Sequence, residues 1–122
     1  MAAPLILVVD DNPLNVEPLC DLLAAMGYRV DQALDGPTAL RISRDRSPDL
    51  VLLDIMMPYV SGLDVLARLR ELPNRRSTPV IMLTAKGQDG DRTRALELGA
   101  TDFLTKPFSP NKLLARINEL FA

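Results

Sequence analysis

The chain is predicted to fold as an α/β protein, a (βα)5 doubly wound five-stranded parallel sheet with strand order 2-1-3-4-5. Three observations predict it. Short unbroken apolar runs recur at Leu5–Val9, Leu50–Leu53 and Val80–Leu83, and runs without polar alternation suit strands buried on both faces. Segments of helical spacing separate them, which argues for parallel strands joined by right-handed crossovers. Each run also closes on a polar, reactive side chain: Asp10-Asp11, Asp54 and Thr84. The order 2-1-3-4-5 is the expectation, although periodicity alone is compatible with other orders.

The elements follow in sequence. After the first strand, Asn12 suits an N-cap and Pro13 a first helical residue. A helix from about Pro13 to Met26 buries Val16, Leu19, Cys20, Leu23 and Met26, and Gly27 ends it. Pro18 inside that span predicts a late start or a bend. Tyr28 to Ala33 alternates weakly and reads as an edge strand; Asp35-Gly36-Pro37 is turn chemistry. Thr38–Arg46 places Ala39, Leu40 and Ile42 on one helical face, and Ser47-Pro48-Asp49 breaks that helix before the third strand. Pro58 stops the chain from continuing as strand. Ser61-Gly62 leads into a helix from Leu63 to Leu72 with Leu63, Leu66, Leu69 and Leu72 as its stripe, and Pro73 to Pro79 reads as a basic solvent loop. Lys86 to Gly90 is a loop before a helix over Asp91–Leu98, closed by Gly99. Asp102 to Thr105 is a short strand terminated by Lys106-Pro107. Ser109 caps the last helix, whose inner stripe is Leu113, Ile117 and Leu120.

Composition narrows the function classes. The 122 residues suit one domain spanning 1–122, with no repeat or linker. Fourteen basic against 16 acidic residues give a net charge of −2, which offers no basic footprint for nucleic acid and no polybasic membrane patch. No apolar run approaches the ~20 residues of a membrane span. The first residues lack a charged n-region and a long apolar h-region, so no signal peptide is evident. A single cysteine, Cys20, excludes an internal disulfide and makes a cytoplasmic setting the default. The chain has no histidine, which excludes imidazole catalysis, imidazole metal ligation and phosphohistidine chemistry within it.

What is left is carboxylates, hydroxyls, a lysine and a hard metal ion. In a parallel sheet all strand C-termini share one rim. Asp10, Asp11, Asp54, Thr84 and Lys106 are therefore expected to converge there, at the switch point between strands 1 and 3. Crowded carboxylates repel unless a cation sits among them. Oxygen ligands without histidine or cysteine select a hard ion, and Mg²⁺ suits few-carboxylate sites that keep waters. A nucleophile, a metal and donors for equatorial oxygens are the equipment of phosphoryl transfer.

Asp10-Asp11, the segment Asp54-Ile55-Met56-Met57-Pro58, Thr84-Ala85 and Lys106-Pro107-Phe108 resemble the receiver domain of two-component response regulators, a flavodoxin-like fold, over essentially the whole chain. The resemblance implies that Asp54 accepts a phosphoryl group from a phosphohistidine on a sensor histidine kinase or histidine phosphotransfer protein. It implies Mg²⁺ held by Asp11, Asp54 and the backbone carbonyl of Met56, with Asp10 acting through water. Thr84 and Lys106 would contact phosphoryl oxygens. Thr84 and Phe103 would form the switch that rearranges the face of helix 4, strand 5 and helix 5 toward a downstream output domain or target protein. Lys106-Pro107 resembles the family's cis peptide.

Some positions depart from the commonest pattern. Phe103 replaces a frequent tyrosine. Met56 and Lys86 occupy positions that tune phosphoryl lifetime in the family, and Met56 is expected to shield the acyl phosphate from water. Asp102 and Arg116 resemble an intersubunit pair, but Lys112 replaces the usual acid, with Arg92 facing it. Homodimerisation is accordingly the weaker expectation. The protein is expected to be a self-phosphorylating switch with no external substrate. The alternative is a Mg²⁺-dependent aspartyl-nucleophile phosphatase, which wants a second acid where Met56 stands. A flavin mononucleotide module would need a Ser/Thr/Gly-rich loop after strand 1, where Asp10-Asp11 would repel phosphate. A receiver used only for docking is at odds with the complete acceptor set.

Overall fold

The computed structural model describes residues 3–57, 60–73, 75–85, 89–106 and 108–121. The side chains of Ala85 and Asp89 lie outside that description, as do Pro58, Lys86 and Pro107, and with Pro107 the expected cis bond. Five strands alternate with five helices: β1 (Leu5–Val9), α1 (Pro13–Ala25), β2 (Arg29–Ala33), α2 (Gly36–Arg46), β3 (Leu50–Asp54), α3 (Gly62–Glu71), β4 (Val80–Ala85), α4 (Asp89–Glu97), β5 (Asp102–Lys106) and α5 (Pro110–Phe121). All strand pairs are parallel, in the order β2-β1-β3-β4-β5.

The apolar runs occupy the middle of the sheet because both of their faces are covered. Leu7, Val9, Val51, Leu53, Val80, Met82 and Phe103 point into one core, closed by Leu63, Leu66 and Leu69 of α3 and by Ala39 and Ala95 of α2 and α4. Ile6, Val8, Leu50, Leu52, Ile81, Leu83 and Leu104 point the other way, onto Val16 and Leu23 of α1 and Leu113 and Ile117 of α5. Each fully buried leucine or isoleucine contributes about 2 kcal/mol before entropy is charged against it. β2 lies at an edge, and only Ala33 of it is buried.

Several local expectations shift. α1 begins at Pro13 and runs through Pro18 with no late start, because Asn12 caps it and accepts from the Leu14 amide. Met26, expected to be inside, is 53% exposed. It is the C-cap, where the chain turns into Gly27 at φ +96° and leaves the helical stripe behind. α2 starts at Gly36, two residues earlier than expected, because Asp35 caps it and accepts from the Thr38 amide at 2.7 Å. α4 likewise starts at Asp89. Lys106 is the last residue of β5, paired with Ala85, and does not follow the strand.

The loop between α3 and β4 exposes Pro73, Arg76 and Ser77 as expected of a solvent loop, and it is also tied to the body. Arg70 reaches from α3 to the carbonyls of Arg75 and Thr78 and to that of Gly99 at the end of α4, at 2.9, 2.7 and 2.7 Å. Arg75 in turn donates to the Ser43 carbonyl at the end of α2.

Candidate functional site

At the end of β1, Asp10 is buried and its amide donates to the Ala33 carbonyl at 3.1 Å, extending the ladder by one residue. Its Oδ1 accepts from the Asn12 amide at 3.0 Å, which turns the chain into α1 and leaves Asp11 at the rim. Asp54 closes β3 with 5% of its surface exposed. The next amide, of Ile55, donates to the Leu83 carbonyl, and the Ile55 carbonyl accepts from the Gly62 amide at 2.8 Å. Thr84 on β4 is 1% exposed and lies one residue past the position paired with Asp54. Lys106 arrives from β5 and spans the two acids, its Nζ 3.3 Å from Asp10 Oδ2 and 3.4 Å from Asp54 Oδ1.

One carboxylate oxygen from each of Asp10, Asp11 and Asp54 lies within 4.8 Å of the others. Burial is the main cause that raises the Asp54 carboxyl to about 6; the Lys106 charge opposes the shift and the Asp10 charge adds to it. Three carboxylates against one ammonium leave two negative charges uncompensated. An all-oxygen donor set with a deficit of two charges fits Mg²⁺ better than a softer ion. Asp10 already accepts from Asn12 and Lys106 on its two oxygens, which suits an indirect role. Among the described residues, Asp11 has no side-chain hydrogen bond and is free to ligate.

The residues predicted to converge do so: Asp10, Asp11, Asp54 and Lys106 form one cluster. Thr84 is on the same rim by strand register. Phe103 sits on β5 two residues before Thr105, the register partner of Thr84, so both face the same side of the sheet. Met56, two residues past Asp54, stands 57% exposed. Gly62 is the residue sequence reasoning undervalued. A Cβ there would stand 2.1 Å from the Asp54 carbonyl oxygen and 2.8 Å from Ile55 Cα. The first turn of α3 thus packs directly against the backbone of Asp54, and its only sequence signal is a glycine straight after a capping serine.

This fold and this acidic rim define a class. The chain belongs to the response regulator receiver domain family, matching the family profile over residues 6–118. It is the receiver domain of a two-component response regulator, whose general function is that of a phosphorylation switch. Among particular relatives, it is 47% identical to response regulator PleD of Caulobacter vibrioides over 94% of this chain and 25% of that protein. It is 42% identical to the phosphate regulon transcriptional regulatory protein PhoB of Escherichia coli over 96% of this chain and 51% of that protein. The chain therefore spans about half or less of these relatives. In structure it is similar to a putative response regulator from Chloroflexus aurantiacus (TM-score 0.91, 33% identity, 97% of both chains). It is also similar to the chemotaxis protein CheY4 of Vibrio cholerae (TM-score 0.92, 29% identity, 98% and 99% of the two chains).

Proposed function

We propose that residues 1–122 form one cytoplasmic receiver domain in which Asp54 is the phosphoryl acceptor. The donor is a phosphohistidine on a sensor histidine kinase or histidine phosphotransfer protein. An Asp54 carboxylate oxygen attacks phosphorus, an acyl phosphate forms, the P–N bond breaks, and the imidazole leaves with the electron pair. The observation that carries this reading is the Asp54 carboxylate buried at the end of β3 between two further acids and Lys106. Asp11, Asp54 and the Met56 carbonyl would hold Mg²⁺, with Asp10 behind them through water. Bound there, the ion neutralises charge on the phosphoryl oxygens and the acceptor. Lys106, already bonded to Asp54, supplies a fixed positive charge for one phosphoryl oxygen. The Thr84 hydroxyl is a donor for another.

An open groove of about 430 Å³ beside the site supports the docking of a donor helix. Leu14, Pro18, Leu19, Phe108 and Pro110 line it together with Asp10 and Lys106. Leu14, 80% exposed, and Met56 are apolar groups left in water at the rim. On phosphorylation, Thr84 and Phe103, which share one sheet face, would carry the change to the α4–β5–α5 face. The phosphate would bias a two-state surface already present. The output is a further domain or a separate target.

Intact-mass measurement after incubation with acetyl phosphate and Mg²⁺ tests the reading. One phosphoryl adduct is expected on the wild type and none on Asp54→Asn. An adduct that persists in Asp54→Asn, or none in either protein, overturns it.

A further inference from the structure

We infer that Met56 is a peroxide-sensitive modification site, and that oxidation of its thioether to the sulfoxide shortens the life of the phosphorylated form. The inference rests on the proposed function, in which Asp54 carries the phosphoryl group, and adds a redox input at that same site. The methionines among the described residues sit in sharply different surroundings. Met82 is fully buried, and Met57 is partly buried against the core beneath α3. Met26 and Met56 are 53% and 57% exposed. Oxidation of a methionine follows its exposure, so a dilute peroxide should find these two and spare Met82.

Of the two, Met56 is the one held against the acceptor. Its amide donates to the Asp54 carboxylate. The turn that places it is wound tightly, because the Ile55 carbonyl accepts from the Met57 amide at 3.1 Å and from the Gly62 amide at 2.8 Å. The Met56 side chain springs from the carbon next to the amide that touches Asp54, and it is long, unbranched and adaptable. It is therefore within reach of whatever that carboxylate carries. Met26 is the C-cap of α1, at the end of the helix remote from the acidic rim, and serves as an internal comparison.

The oxidant is hydrogen peroxide or an organic hydroperoxide. A sulfur lone pair attacks one peroxide oxygen, the S–O bond forms as the O–O bond breaks, and the other oxygen leaves with a proton as water or an alcohol. Sulfur loses two electrons and the peroxide gains them. The product exchanges an apolar group for a polar one whose oxygen accepts hydrogen bonds. An apolar cover keeps water from the acyl phosphate, whereas a sulfoxide holds water beside it.

The test treats the chain briefly with dilute hydrogen peroxide and maps the added oxygen by peptide mass. Each sample is then phosphorylated with acetyl phosphate and Mg²⁺, the donor is removed, and loss of the adduct is followed by intact mass. Every protein is compared with its own untreated sample. Met56 and Met26 should each gain one oxygen and Met82 none. Treatment should shorten the adduct's life several-fold in the wild type and equally in Met26→Leu, but leave Met56→Leu unaffected. Incubation with both methionine sulfoxide reductases and dithiothreitol should restore the original decay. Three results overturn the inference: Met56 unoxidised where Met26 is oxidised, a decay unchanged or slowed by treatment, or the same acceleration in Met56→Leu. No adduct on Asp54 in the untreated chain sinks the proposed function. A normal adduct whose decay ignores Met56 oxidation sinks this inference alone.

Discussion

Asp54, the proposed acceptor, also carries a cost. A buried carboxyl raised to about 6 contributes stability that is complete below its unfolded value of 3.8 and lost as pH rises through 6. At neutral pH without metal the domain therefore holds an ionised, partly compensated acid, at a cost of about 2–3 kcal/mol. Asp54→Asn is expected to raise the metal-free melting temperature by several degrees at pH 7.5, with the gain shrinking toward pH 4; equal melting of the two proteins at pH 7.5 would refute this. Met56, exposed and adjacent, is proposed to keep water from the acyl phosphate. Met56→Asn should then shorten the life of the phosphorylated form several-fold, measured as loss of the adduct with time; an unchanged decay rate removes the shielding role. Both residues stand out in the sequence, one as the last of a buried run and one as an apolar group two residues past it. The pKa of Asp54 does not, because it is a property of its surroundings.

At the scale of elements, the site is only as well placed as the contacts beneath it. α3 begins against the end of β3, where Gly62 leaves no room for a side chain. Gly62→Ala should cost about 2–4 kcal/mol and lower the melting temperature by roughly 10 °C, read by thermal unfolding. If the variant melts like the wild type, the close packing is not holding Asp54. Arg70 does comparable work at the opposite rim, joining α3, the following loop and the end of α4 through three carbonyls. Gly99 at φ +98° makes room for it, since a Cβ there would stand 3.1 Å from Arg70 Nε. Helix and strand identities were legible throughout, because 3.6-residue and continuous apolar patterns are local. Their ends were less so. α2 starts at Gly36 because Asp35 caps it, and the turn signal of Asp35-Gly36-Pro37 reads equally well as a loop. Arg70 gave no warning of its role, and Gly62 only that of a glycine after a capping serine, since each acts on a backbone group supplied by a different segment.

Across the whole molecule, four strand ends meet at one rim while two cores lock the sheet from either side. With Mg²⁺ at the proposed site, rim charge and global stability would be linked. At about a hundredfold excess over its Kd, Mg²⁺ should add about 2.7 kcal/mol, a rise of roughly 10 °C in melting temperature at pH 7.5. Asp11→Asn should abolish most of that rise; an undiminished shift in the variant would place the ion elsewhere. By itself the sequence determined the alternation of elements, the parallel sheet and the identity of the side chains at the strand ends, because these follow from apolar periodicity within short windows. Only the tertiary structure decided that Lys106 spans acids 96 and 52 residues away, that Gly62 underpins Asp54, and that Arg116 takes up Asp102 within its own chain. Those are distances between segments, set by strand register and by packing against the sheet, and no local pattern of residues encodes them.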